Sequence, residues 1–149
     1  MNTQSLPPGR FMVAVGAVVE YKNTDNILLI KRSSDQDWQP NEWEIVYGRV
    51  AQFETPQDGL SRELQEETGL TVKVKDFLTL WHIYRENMED AEHELIGITF
   101  HCQANTQKIT LSHEHSDYKW VMPEEALKLV HVEGIRRDII KFQQQAISA

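Results

Sequence analysis

Residues 48–70 read GRVAQFETPQDGLSRELQEETGL, and this stretch decides the fold. Thr55 ahead of Pro56 has the form of a helix start, a hydroxyl N-cap followed by proline at the first helical position. Asp58, three residues after the cap, can answer it as in a capping box and also suits the positive end of the helix dipole. Gly69 sits where a left-handed residue would close the helix. At about 100° per residue, Glu63, Glu66 and Glu67 share one stripe of that helix. Leu60 and Leu64 project beside the stripe, towards a core.

Like charges at these spacings cost an isolated helix about 0.2–0.5 kcal/mol per pair. Three convergent carboxylates therefore call for a cation that offsets the repulsion. An all-oxygen donor set favours a hard ion, Mg²⁺ or Mn²⁺, over zinc or copper. Acidic helix faces are commonly just solvated. Here Glu54, Arg62 and two glycines stand at fixed offsets from the stripe, and that arrangement turns the reading towards a metal site.

Gly48, Glu54, Arg62, Glu63, Leu64, Glu66, Glu67, Gly69 and Leu70 fill the pattern G-x5-E-x7-R-E-U-x-E-E-x-G-U, with U apolar. Such a match arises by chance roughly once in 10⁹ start positions at ordinary residue usage. The pattern resembles the signature of the Nudix hydrolases, the MutT-like family. The resemblance implies an α/β (α+β) fold, the αβα sandwich with a central mixed sheet, over about residues 11–147. It implies Mg²⁺-dependent hydrolysis of a pyrophosphate bond in a nucleoside triphosphate or a related molecule built on a nucleoside diphosphate. By the same resemblance Glu63, Glu66 and Glu67 hold the metal, the Gly48 carbonyl completes its shell, and Arg62 orients carboxylates that include Glu54. The family's general base varies. Glu63 is one candidate by motif position. Glu114 is another, because Glu114-His115 and Trp120 resemble a Glu-His-x-x-x-x-Trp segment of small Nudix nucleotidases.

Two alternatives share the fold: a non-catalytic nucleotide-sensing module, and an isomerase of isopentenyl diphosphate. The first usually lacks motif carboxylates that are all present here. The second needs a catalytic cysteine in the pocket. The chain has one cysteine, Cys102, in an alternating apolar run that marks it as a small core residue.

With 149 residues the chain suits a single domain, 1–149, with residues 1–10 as a loose arm around Pro7-Pro8-Gly9. A lone cysteine excludes an internal disulfide and fits a reducing, cytoplasmic setting. No apolar stretch approaches membrane-spanning length, and the first residues lack a signal-peptide layout, so a soluble protein is expected. The formal net charge of −8 argues against a nucleic-acid polymer as partner. A small nucleotide remains compatible, since divalent ions can supply positive charge locally. Monomer and homodimer are both open.

Outside the motif, strands are expected over Phe11–Val19, Ile27–Arg32, Trp43–Val46, Val72–Tyr84 and Leu95–Cys102, with shorter ones at Ile109–Leu111 and Tyr118–Met122. In Leu95–Cys102 the even positions Ile96, Ile98, Phe100 and Cys102 face one way. Lys75-Asp76 is a place for an interruption. Pro123 opens a helix to about Val130, and Ile135, Ile139, Phe142 and Ala146 mark a final amphipathic helix. Arg32, Arg49 and Lys119 are candidate phosphate contacts as much as ion-pair partners. Trp38, Trp43 and Trp81 could stack a base or simply pack. His113 and His115 read as solvent-facing or hydrogen-bonded. Residues 86–94 form an acidic loop in which Glu89, Glu92 and Glu94 are outlying candidates for the base. Val46-Tyr47 stand where relatives commonly carry Pro-Gly, and Phe53 where they often carry glycine, so Tyr47 and Phe53 are expected to stiffen or reshape the loop that carries Gly48 and Glu54. No proline lies between Pro56 and Pro123, which disfavours ADP-ribose specificity by comparison with relatives.

Overall fold

The computed structural model describes residues 6–148. Part of the expected N-terminal arm, residues 1–5, lies outside them, and Leu6–Arg10 carry no helix or strand. Among the described residues seven strands and three α-helices follow in the order β1 (Met12–Tyr21), β2 (Ile27–Arg32), β3 (Trp43–Glu44), β4 (Val46–Arg49), α1 (Pro56–Thr68), β5 (Val72–Tyr84), β6 (Glu94–Ala104), β7 (His115–Val121), α2 (Pro123–Leu129) and α3 (Glu133–Ser148), with a single 3-10 turn at Arg85–Asn87 between β5 and β6.

Strand β1 is the centre of a mixed sheet. Its near-continuous apolar run is buried from Ala14 to Val19, as expected of a strand covered on both faces. It runs parallel to β6 along its whole length, from Met12 opposite Leu95 to Tyr21 opposite Ala104. Its other edge is shared. Ala14–Ala17 pair antiparallel with β4, and Glu20 pairs with Ile27 of β2. Strands β3 and β7 flank β2, and β5 closes the far edge against β6. The register slips around Lys75 and again near Leu78, so the interruption expected at Lys75-Asp76 is a bulge inside one strand.

Two apolar layers sandwich the sheet. On one face Leu60 and Leu64 of α1 pack with Val15, Val46, Phe100 and Cys102. On the other, Ile135, Ile139 and Phe142 of α3 pack with Val18, Leu29 and Leu78. Leu64→Ala empties a fully buried position (0% exposed). Urea unfolding is expected to report a loss of about 2–5 kcal/mol.

Helix α1 begins and ends as its sequence dictates. Thr55 Oγ1 accepts from the Asp58 backbone N–H at 3.1 Å, and Gly69 closes the helix at φ 74°. Four expectations change. Trp43–Val46 is two short strands broken at Ile45, and Gly48 lies inside β4 instead of after it. Ile109–Leu111 is no strand, because its backbone turns to the end of α1: the Thr110 N–H donates to Thr68 O and the Ser112 N–H to Glu67 O. Strand β7 starts three residues early, at His115. Ala146 is exposed, so the buried stripe of α3 stops at Phe142. Cys102 is core-facing, fully buried, with burial pushing its thiol up to about 12, which leaves it inert as a nucleophile.

Candidate active site

Strand alternation in β4 points Tyr47 and Gly48 to opposite faces. Gly48 meets α1, and Glu63 lies directly against it. A Cβ at position 48 would come within 2.0 Å of Glu63 Cγ and 2.1 Å of its Cδ. Gly48 has no left-handed φ, so it is the closeness of Glu63, not backbone freedom, that requires glycine here. Gly48→Ala must expel the Glu63 side chain. Displacing a reacting group by about 1 Å can cost 10²-fold, and kcat is expected to fall by about that factor. Circular dichroism should still show a folded protein, since a glutamate can swing aside.

Arg62 organises the acidic face. Its Nε donates to Glu54 Oε2 at 2.8 Å and its Nη2 to Glu54 Oε1 at 2.9 Å, a two-pronged pair. Its Nη1 reaches Glu63 at 3.0 Å and Glu66 at 3.4 Å, and its Nη2 also donates to the Arg49 carbonyl at 2.9 Å. Arg62 and the Ala51 N–H together hold the Glu54 carboxyl down to about 2. Burial raises Glu63, and the Arg62 guanidinium only partly reverses this.

Glu67 sits deeper, 8% exposed. Burial pushes its carboxyl up, but His115 and Ser112 outweigh that and hold it below the ordinary range. Ser112 Oγ donates to Glu67 Oε2 at 2.8 Å. His115 Nε2 bonds Glu44 Oε1 at 2.8 Å. Its Nδ1 lies 2.9 Å from Glu67 Oε2, at ion-pair distance but off the line of a hydrogen bond. Burial disfavours the charged ring, yet the two carboxylates lift it to about 9. Burial, together with the negative charge of neighbouring Glu67, raises the Glu114 carboxyl. The Ser33 N–H and Oγ fix the loop carrying Glu114 by donating to the carbonyls of Glu114 and His113 at 2.8 and 2.9 Å.

A cavity of about 640 Å³ opens over these groups and draws its lining from both faces of the sheet. Glu63, Glu66, Glu67 and Glu114 line it, together with Arg32 and Arg49. Arg32 is largely committed to the protein: its Nε donates to Trp38 O at 2.6 Å, and its other nitrogens lie near Gln36 and Glu44. Arg49 is exposed, and burial of part of its side chain with Arg85 nearby lowers its basicity. Lys119 is not in the cavity lining; its Nζ lies 5.3 Å from the Trp43 ring centroid. Glu94 is likewise absent from the lining and is held by His82 at 2.8 Å. Trp38 and Trp81 do line the cavity.

Glu44 and the buried role of His115 escape a reading by sequence spacing. Glu44 lies in a two-residue strand, and only the pairing of β2 with both β3 and β7 brings it to His115. Among the described residues no three acidic, histidine or cysteine groups already stand around one point at metal-ligand geometry. Arg62 engages Glu54, Glu63 and Glu66, and His115 engages Glu44 and Glu67. The donor chemistry nevertheless fits a hard divalent ion, since every group offered is an oxygen and Glu66 keeps 57% of its side chain exposed.

Carboxylates gathered on a helix, ordered by one arginine and facing a cavity with further arginines, make a candidate site for a divalent ion and an anionic ligand. The sequence profile of the NUDIX domain matches residues 10–141. The nucleoside triphosphatase NudI of Escherichia coli is 30% identical over 117 residues, covering 74% of this chain and 80% of that protein. A MutT protein from Methanosarcina mazei Go1 has a structure with a TM-score of 0.75 at 26% identity, covering 97% of this chain and all of that one. An Ap4A hydrolase from C. elegans shares the fold at 20% identity and a TM-score of 0.75, over 93% of this chain and 99% of that one. The chain belongs to the Nudix family and is a pyrophosphohydrolase enzyme of that family.

Proposed function

We propose that the protein hydrolyses a nucleoside triphosphate or a similar small nucleotide in the presence of Mg²⁺ or Mn²⁺, releasing a nucleoside monophosphate and pyrophosphate or a phosphorylated remainder. The observation that carries this reading is the gathering of Glu63, Glu66, Glu67 and Glu114 at one cavity of about 640 Å³. That volume lies within the usual range of small-ligand sites. The name of the NudI relative, a nucleoside triphosphatase, supports the same substrate class.

Glu63, Glu66, Glu67 and the Gly48 carbonyl would hold the divalent ion, which when bound neutralises phosphate charge and lowers the pKa of water. The protein's own groups do the rest. Arg62 keeps Glu54, Glu63 and Glu66 in fixed relation. His115, cationic near neutral pH, stabilises the charge of Glu67. Glu114 acts as general base. It is raised towards the working pH and is not among the partners of Arg62, whereas Glu63 is bound to that guanidinium. Arg49 offers its charge to a substrate phosphate.

The test is a panel of ribo- and deoxyribonucleotides with Mg²⁺, with Mn²⁺ and with chelator, following monophosphate and pyrophosphate by chromatography. Metal-dependent release from at least one triphosphate is expected. Absence of turnover across the panel would overturn the reading.

A further inference from the structure

Helix α3 brings a second charged pair to the same cavity. The Asp138 side chain is wholly buried, at 0% exposure. Its carboxylate accepts hydroxyl hydrogen bonds from Tyr47 at 2.7 Å, Thr79 at 2.7 Å and Thr99 at 2.8 Å. These donors come from β4, β5 and β6, so one carboxylate ties three strands to the helix. Neighbouring Arg137 donates to Asp138 Oδ1 through Nε at 3.2 Å and Nη2 at 3.1 Å.

The Arg137 guanidinium lies 5.9 Å from the ring centroid of Trp81. Trp81 is itself fixed. Its Nε1–H donates to Thr99 Oγ1 at 3.0 Å, and its ring fills the space where Gly97 lacks a Cβ, which would come within 2.1 Å of the indole. The guanidinium is thus held by a buried carboxylate and an immobilised aromatic ring. It still keeps 43% of its side chain exposed and lines the cavity. Its Nη1 makes no hydrogen bond among the described residues. Tyr47, bonded to Asp138, is next in sequence to Gly48, against which Glu63 of α1 packs, and Tyr47, Gly48 and Glu63 all line the cavity. Arg137 lines the same cavity as Glu63, Glu66 and Glu67, so a molecule with its phosphates at the carboxylates has room to reach Arg137 with its other end.

We propose that Arg137, positioned by Asp138, is a specificity-determining residue that donates to the oxygen at the O6 position of a purine or the O4 position of a pyrimidine on the substrate's base. Guanine, uracil and thymine are then preferred to adenine and cytosine. A guanidinium has donors and no acceptor. It satisfies the O6 of guanine or the O4 of uracil and thymine, and meets the N6 and N4 amino groups of adenine and cytosine donor against donor. This inference rests on the triphosphatase reading for the placement of the phosphates.

The test is an NMR titration of the whole protein with GMP, UMP, AMP and CMP, for wild type and Arg137→Met. Wild type should bind GMP and UMP about tenfold or more tighter than AMP and CMP. Arg137→Met should weaken the first pair to the level of the second and leave the second unchanged. In turnover of the matching triphosphates the same variant should raise KM for GTP and UTP with little change in kcat. Equal affinity of wild type for all four monophosphates, or binding of none, would overturn the proposal. Equal weakening of all four by Arg137→Met would also overturn it, since that marks a phosphate contact. Triphosphate turnover without base preference would defeat this inference alone. A preserved monophosphate preference without any turnover would defeat the triphosphatase reading alone.

Discussion

Glu67→Gln is expected to lower kcat by about 10²–10³-fold, the range for losing one group that stabilises developing charge, while the fold survives. Glutamine keeps the shape of the side chain and can still accept from Ser112, which donates at 2.8 Å in the native protein. What disappears is the negative charge that a divalent ion needs. His115 is left with Glu44 as its remaining carboxylate within ion-pair distance. The raised basicity of His115 should fall in consequence, visible as a lower imidazole pKa by NMR. Steady-state kinetics over a range of Mg²⁺ concentrations separates the effects. Turnover that recovers to the native value at high metal would mean that Glu67 only improves affinity. Turnover unaffected at ordinary metal would remove Glu67 from the site.

Glu114→Gln is expected to lower kcat by about 10²–10⁴-fold, as for loss of a positioned general base, and to change the pH profile. A base must be ionised to accept a proton. Burial and Glu67 raise the Glu114 carboxyl, so kcat/KM in the native enzyme should fall as pH drops through a value above the ordinary carboxylate range. In Glu114→Gln that limb disappears. Glu63→Gln also slows the enzyme, because it strips charge from the metal site and an acceptor from Arg62, but it retains the limb. The opposite outcome, a limb lost with Glu63→Gln and kept with Glu114→Gln, would transfer the role of base to Glu63. Both variants should be compared at saturating Mg²⁺, so that metal occupancy does not mimic a titration.

The parts of this molecule legible in sequence are those governed by local rules. Thr55, Pro56 and Gly69 bound α1 because caps act within one turn. Leu60 and Leu64 fall into the core, and the glutamates share a face, because helical period alone decides that. In strand β6 Ile98, Phe100 and Cys102 share one core layer as the alternation expects, while Leu95, Gly97 and Thr99 are buried on the other side. Contacts made across long sequence distances were not legible. The junction of Glu44, His115 and Glu67 needs three elements to meet, and nothing in the short Trp43-Glu44 segment announces it. Asp138 reads as an ordinary helix acid until β4, β5 and β6 supply its hydroxyl partners. Ile109–Leu111 has strand-like composition, but tertiary hydrogen bonds to the end of α1 override that preference.

Phe53 combines both kinds of information. Its departure from the usual glycine suggested a stiffened loop, and it adopts φ 68° with its ring 98% exposed. A bulky residue in that left-handed region is strained.

The parallel pairing of β1 with β6 governs how the chain assembles. Partners in that ladder lie about eighty residues apart, and closing loops of such length is slow compared with forming local turns. During synthesis β1 leaves the ribosome long before the strand that completes its central ladder. The motif helix, whose caps are local, can begin to form in that interval. A nascent chain that stalls before Glu94 would carry the motif glutamates on a helix without its complete sheet, beside a β1 whose apolar edge is open to other chains. The motif residues are thus made early, and their scaffold closes late.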